Sequence, residues 1–201
     1  MTNLHKKFGG SSVVENTSHG LQRNLQFMKE VSLKSGVHLI AGTGYYLASV
    51  QPPNLLLQSQ ETMYNLMLTE LTMQCVEHHD IKCGFIGEVG RSWPLHEFEK
   101  GVIQATGELQ MELGCPVSFH SGRDPEPPFE IIRLFPEAGG DVSKVVMSHL
   151  ERTLYKDDQL LEFAALGSYC QFDLFGNECS FYQISPADDM PSDAQRIQKL
   201  M

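Results

Sequence analysis

The sequence has few of the features that mark a chain for nucleic acid, membranes or secretion. Basic residues are in deficit: 15 Lys and Arg stand against 25 Asp and Glu, a formal charge of −10. A chain without a basic surplus offers little to a phosphate backbone or an anionic bilayer, so neither is expected as a partner. No stretch approaches the ~18 consecutive apolar residues of a membrane span. The opening MTNLHKKFGG has no apolar core of the kind a secretory signal carries. CxxC pairs are absent, and the five cysteines (Cys75, Cys83, Cys115, Cys170, Cys179) are odd in number. Reduced thiols in a cytoplasmic chain are expected rather than a disulfide framework. There is no Walker A sequence, and the nearest approach to GxGxxG, AGTGYYL at 41–47, lacks its third glycine.

What remains is an ordinary globular composition, 41% apolar and 20% charged, over 201 residues, enough for a single domain. Short β-branched runs alternate with longer stretches of helical period. The runs at 11–17, 37–46, 82–90, 115–122, 143–150 and 168–176 read as strands. The stretches at 21–36, 59–79, 94–114, 127–140 and 156–167 read as helices. In the first helix Leu21, Leu25, Met28 and Leu33 share one face; in the fourth, Pro136 is expected to interrupt. Residues 184–201 read as a partly disordered tail that enters a helix from Ser192. Alternation of this kind implies parallel strands with helices outside, either an open doubly wound sheet or part of a (β/α)8 barrel.

Three successive strands end in groups that bind metals: Glu88 in CGFIGEVG, His120 in CPVSFHSG and His149 in SKVVMSHL. Each is one βα repeat from the next, so a parallel sheet sets all three on the same rim, with strand neighbours only ~4.8 Å apart. A carboxylate and two imidazoles converging there suit a divalent metal with a coordination position left open. The bland alternative for each residue alone is a hydrogen-bonded rim side chain, and Glu88 could pair with Arg91 or Arg123. Arg123, in FHSGR, is either an anchor for an anionic substrate group or an ion-pair partner of Glu88 or Asp124. Tyr45, closing the GTGYY strand, is a candidate substrate contact. Asp173, in CQFDLFG, is a candidate for orienting a metal-ligating histidine.

Read together, KCGFIGEVGRSWPL, LGCPVSFHSGR, VVMSHLERT and DLFG resemble the phosphotriesterase-related proteins, metal-dependent hydrolases of the amidohydrolase superfamily. The resemblance implies a (β/α)8 barrel with a two-metal centre, usually zinc. It puts Glu88 in the place of the bridging carboxylate and His120 and His149 in the places of the two histidines on one metal. It implies hydrolysis of an amide or ester, with a small anionic N-acyl amino acid such as N-acetyltaurine as substrate. The departures are specific. No H-x-H pair, which holds the other metal in the family, occurs anywhere, and the last-strand aspartate that serves as general base is also missing. Six strands match family strands two to seven. The expectation is therefore a single incomplete barrel domain over 1–201, a partial (β/α)8 TIM barrel retaining about six of eight parallel strands. It would hold at most one zinc and be weak or inactive alone, as a truncated form whose open sheet edges favour self-association. Two other readings stay open: a non-catalytic truncated isoform or interaction module, and an open α/β small-molecule-binding domain.

Overall fold

The computed structural model describes residues 1–177 and 191–201. Its frame is a six-stranded, all-parallel sheet in which strand order follows chain order: β1 (Ser12–Glu15), β2 (His38–Thr43), β3 (Phe85–Gly90), β4 (Val117–His120), β5 (Val145–Ser148) and β6 (Tyr169–Cys170). A doubly wound sheet reverses its strand order at a switch point. No reversal occurs among the described residues, so the open-sheet alternative falls and a partial (β/α)8 barrel stands. The sheet is also curled. Asn16, just past β1, reaches across to Glu88 on β3 and to Ser118 on β4, contacts a flat sheet would put out of range.

The helices are α1 (Thr2–Lys7), α2 (Leu25–Ser35), α3 (Gln60–Thr72), α4 (Glu97–Leu113), α5 (Glu126–Glu137), α6 (Asp157–Ala164) and α7 (Asp193–Leu200). Local chemistry sets their ends. The Asn24 side chain accepts from the Phe27 amide at 2.9 Å, so α2 begins four residues later than the apolar pattern from Leu21 suggests. Gly36 and Gly114 adopt left-handed conformations and stop α2 and α4. Leu33 is 76% exposed, so it does not share the buried face of Leu25 and Met28. α3 stops at Thr72, short of His79. Pro136 lies in the last turn of α5 and does not interrupt it, because the one bond it cannot make, to the Ile132 carbonyl a turn before it, is lost at the helix end. α1 was not legible in the sequence pattern: it buries none of its residues. Of the expected disordered tail, 184–190 lie outside the described residues, while 193–200 form α7 behind a reciprocal Ser192–Gln195 capping box.

The core lies between the outer face of the sheet and the helices. Phe119 meets Phe135 of α5 edge-on at 5.5 Å, and both are fully buried with Ile86, Met147, Ile103, Leu109 and Ile131. Each such side chain contributes about 1.5–3 kcal/mol. With Phe119 facing the helices, its neighbours Ser118 and His120 face the barrel interior. That interior is an open cavity of about 630 Å³, apolar below (Val14, Ile40, Phe85, Val146) and polar above (Glu88, Ser118, His149). Val14 and Ile40 remain 56% and 37% exposed within it.

Candidate metal centre

β3, β4 and β5 each deliver one donor, and each needs a different local device to do so. His120 is the last residue of β4 and faces inward by simple alternation, opposite Ser148 of β5. His149 follows Ser148, so alternation alone would turn it outward. Its backbone instead adopts a left-handed conformation, φ 63°, uncommon for a residue other than glycine, and the turn carries the imidazole back inside. The bond from the Leu150 amide to the Gln171 carbonyl at 3.1 Å secures this turn. On β3 the pairing with β4 slips between Ile86 and Val89, and such an irregularity re-aims the intervening Glu88. Gly42 permits the close approach of β2 to β3 at this level: a Cβ there would stand 2.1 Å from the Gly87 carbonyl oxygen.

The three donors meet. Glu88 Oε2 lies 3.3 Å from His120 Nδ1, and Glu88 Oε1 lies 3.2 Å from His149 Nε2. One donor atom from each falls within 4.8 Å of the others. The rings of His120 and His149 stand 4.9 Å apart, edge to face. Burial pushes the Glu88 carboxyl up, but the hydrogen bonds of His120 and His149 outweigh it and bring it down to about 2. For His120, burial wins over Glu88 and lowers its pKa. For His149, burial lowers the pKa, but Asp173 and then Glu88 outweigh it and carry it up to about 9.

Two nitrogens and one carboxylate suit zinc and other first-row divalent ions. The orientation also fits. Asp173 Oδ1 takes Nδ1 of His149 at 2.8 Å and leaves Nε2 aimed at the cluster, the carboxylate–histidine pairing common behind metal-bound imidazoles. Asp173 itself is held through its loop, since Glu151 Oε1 accepts the Asp173 and Leu174 amides at 2.8 and 2.7 Å.

The structure does not bring every sequence candidate to this point. Tyr45 is 1% exposed in the core and donates its hydroxyl to Gln58 at 3.1 Å, so the structure does not bring it to the cluster. Its neighbour Tyr46 faces the cluster instead, with the hydroxyl 3.0 Å from His120 Nε2. The sequence offered two adjacent tyrosines and no means to choose, because the choice depends on where β2 ends. Arg123 is partly buried in the loop between β4 and α5. Asn16, Ser18, Ser118, Ser148 and Gln171 gather around the cluster, and nothing in the sequence pattern singled them out.

Among the described residues a second group of donors, His19, Glu70 and Glu77, also lies within 4.8 Å. Arg23 already occupies its centre, bonding Glu70 at 2.7 Å and Glu77 at 2.5 Å. A guanidinium there neutralises the carboxylates and repels a cation, so this group is a structural clamp.

A sequence model of the phosphotriesterase family matches residues 1–201. The chain is 53% identical to a phosphotriesterase-related protein of Drosophila persimilis and 52% identical to one of Aedes aegypti, in each case over 98% of this chain and 57% of the relative. It thus spans a little over half the length of these curated relatives. Among solved structures it resembles the phosphotriesterase homology protein of Escherichia coli, described with phosphate in its active site, at TM-score 0.84 and 29% identity, over 98% of this chain and 64% of that one. It also shares the fold of a resiniferatoxin-binding protein from Rhodobacter sphaeroides, at TM-score 0.90 and 23% identity, over 98% and 54%.

Proposed function

Because the chain belongs to the phosphotriesterase family, we propose that it carries part of the centre of a metal-dependent hydrolase, with Glu88, His120 and His149 as ligands of one divalent ion. The observation that supports this most is the convergence of one carboxylate and two imidazoles, with His149 held in register by Asp173. Zinc is the ion favoured by the donor set and by the family resemblance. Bound there, it supplies a Lewis acid toward a carbonyl or phosphoryl oxygen and makes water a competent nucleophile near neutral pH.

The protein's own groups then have separate tasks. Asp173 fixes the tautomer and aim of His149. Tyr46 presents a hydroxyl beside His120 on the rim, placed to orient a substrate oxygen. Arg123, on the same rim, suits the anionic end of a substrate such as an N-acyl amino acid, N-acetyltaurine being the specific compound proposed. The sequence holds no H-x-H pair for a second ion, so this chain alone is proposed to hold at most one, with weak turnover or none.

The test is metal analysis of the purified chain beside hydrolysis of N-acetyltaurine and simple esters. One ion per chain, lost in His149→Ala, with little turnover is expected. Two ions with full turnover would overturn the one-ion reading, and an ion retained unchanged in His149→Ala would overturn the ligand assignment.

A further inference from the structure

We propose that Asn16 is a positioning residue for the metal carboxylate: its side-chain amide, braced by Ser118, holds Glu88 in the rotamer that faces His120 and His149. The inference rests on the reading of Glu88, His120 and His149 as metal ligands.

The segment after β1 grips Glu88 at three points, although β1 and β3 are not strand neighbours. The Glu88 amide donates to the Asn16 carbonyl at 3.0 Å. The Ser18 hydroxyl, fully buried, donates to the Glu88 carbonyl at 2.6 Å. Asn16 Nδ2 donates to Glu88 Oε1 at 3.4 Å. The first two contacts fix the backbone of Glu88, and the third reaches its functional group. Oε1 is also the oxygen that faces His149 Nε2, so the amide acts on the atom that a metal would share with that ring.

The same Nδ2 has a second acceptor, Ser118 Oγ, at 3.2 Å. Ser118 Oγ lies 3.3 Å from Ser148 Oγ, which in turn donates to Gln171 Oε1 at 2.8 Å. A line of polar side chains therefore crosses the interior beneath the cluster, from the end of β1 to the residue after β6. At its far end the Gln171 carbonyl accepts the Leu150 amide and so secures the turn that aims His149. Glu88 and His149 are thus held from opposite ends of one strut.

The orientation of the amide follows from charge. Asn16 Oδ1 is buried and has no partner. Rotating the amide by half a turn would pair that oxygen with the Glu88 carboxylate, which repels it, and would discard both donor contacts. Leaving one acceptor unsatisfied costs less than facing a neutral oxygen against a buried anion. A group held this way restrains the carboxylate without competing for the metal. Loss of such a partner typically weakens metal binding about 10–100-fold.

The experiment titrates Co²⁺ into the metal-free 201-residue chain, reading both the dissociation constant and the visible absorption of the bound ion. The wild type, Asn16→Ala, Ser118→Ala and His149→Ala are compared, each with its metal-free thermal midpoint. Asn16→Ala is expected to bind Co²⁺ about 10–100-fold more weakly, with an altered absorption band and a near-wild-type metal-free midpoint. Should Asn16→Ala not fold, Ser118→Ala, which removes the brace alone, must show a loss in the same direction. Wild-type affinity in Asn16→Ala, while His149→Ala abolishes binding, overturns the role of Asn16 and leaves the ligands standing. A lowered metal-free midpoint with unchanged affinity marks Asn16 as a packing residue and overturns it equally. Equal binding by wild type and His149→Ala overturns the ligand assignment and this inference with it.

Discussion

His149 combines a strained backbone with a proton that would compete with a metal bound there. A left-handed conformation at a residue other than glycine costs on the order of 1 kcal/mol, and the surrounding bonds to Gln171 and Asp173 hold it there. Burial lowers the imidazole pKa, but Asp173 and Glu88 outweigh it and raise it to about 9 from its ordinary 6.5. Protonation of His149 therefore stabilises the metal-free fold in full below pH 6.5, and that contribution is lost as pH rises through about 9. A metal needs the same imidazole neutral. Co²⁺ affinity is accordingly expected to rise between pH 6.5 and 9, by up to about tenfold per unit for one released proton, while the metal-free thermal midpoint falls over the same interval. A flat affinity profile would show that His149 is not the proton-releasing ligand. The meeting of the three side chains was legible beforehand: strand-end position and βα spacing pointed to Glu88, His120 and His149. The left-handed turn that aims His149 was not, since nothing local in SHLER demands it.

Elements succeed or fail here by what they brace. The clamp on α3 is the clearest case. Glu70 is buried, and burial pushes its carboxyl up, but hydrogen bonds from His19 and Arg23 outweigh that and hold it well below the usual carboxylate range. Thr43 on β2 donates to the same carboxylate at 2.5 Å, so the bond set ties α3, β2 and the loop after β1 together. A carboxyl held low stabilises the fold above its ordinary value of 4.5, and that stability is lost as pH falls further. Glu70→Gln strips the Arg23 guanidinium, whose side chain is 1% exposed, of its principal counter-charge. It is expected to cost about 3 kcal/mol by chemical denaturation and to flatten the acid limb of the stability profile. An unchanged midpoint and acid limb would remove the clamp from the account. No local pattern announces this cluster, because its members are joined only by tertiary packing. The element pattern itself was readable: all six strands fall within the expected runs. β6 is shorter than its run because only Tyr169 and Cys170 keep ladder partners on β5.

At the scale of the whole molecule, the described residues form a parallel sheet curled around an interior that they do not enclose. β1 and β6 each pair on one side only among the described residues, and parallel sheets ordinarily bury both faces. Val14 on β1 is 56% exposed and Tyr169 on β6 is 66% exposed. Unpaired apolar edges of this kind template further pairing. The purified chain is expected to associate with rising concentration in sedimentation velocity, and Val14→Lys, which sets a charge on the open edge, to shift it toward monomer. Monomers at all concentrations in both proteins would refute this.

Strand order has a consequence for how the chain folds. Every ladder joins strands that are consecutive in the chain, so the sheet can grow one βα repeat at a time with modest loop closure. The strut beneath the cluster is different: Asn16 and Ser118 are 102 residues apart. Contacts of that separation come late when local ones can form first. Substituting Asn16 should therefore leave the folding rate of the metal-free chain nearly unchanged, whereas core substitutions at the β3–β4 pair, such as Phe119→Leu, should slow folding. Glu88, His120 and His149 would then be drawn together only after the scaffold that carries them is built.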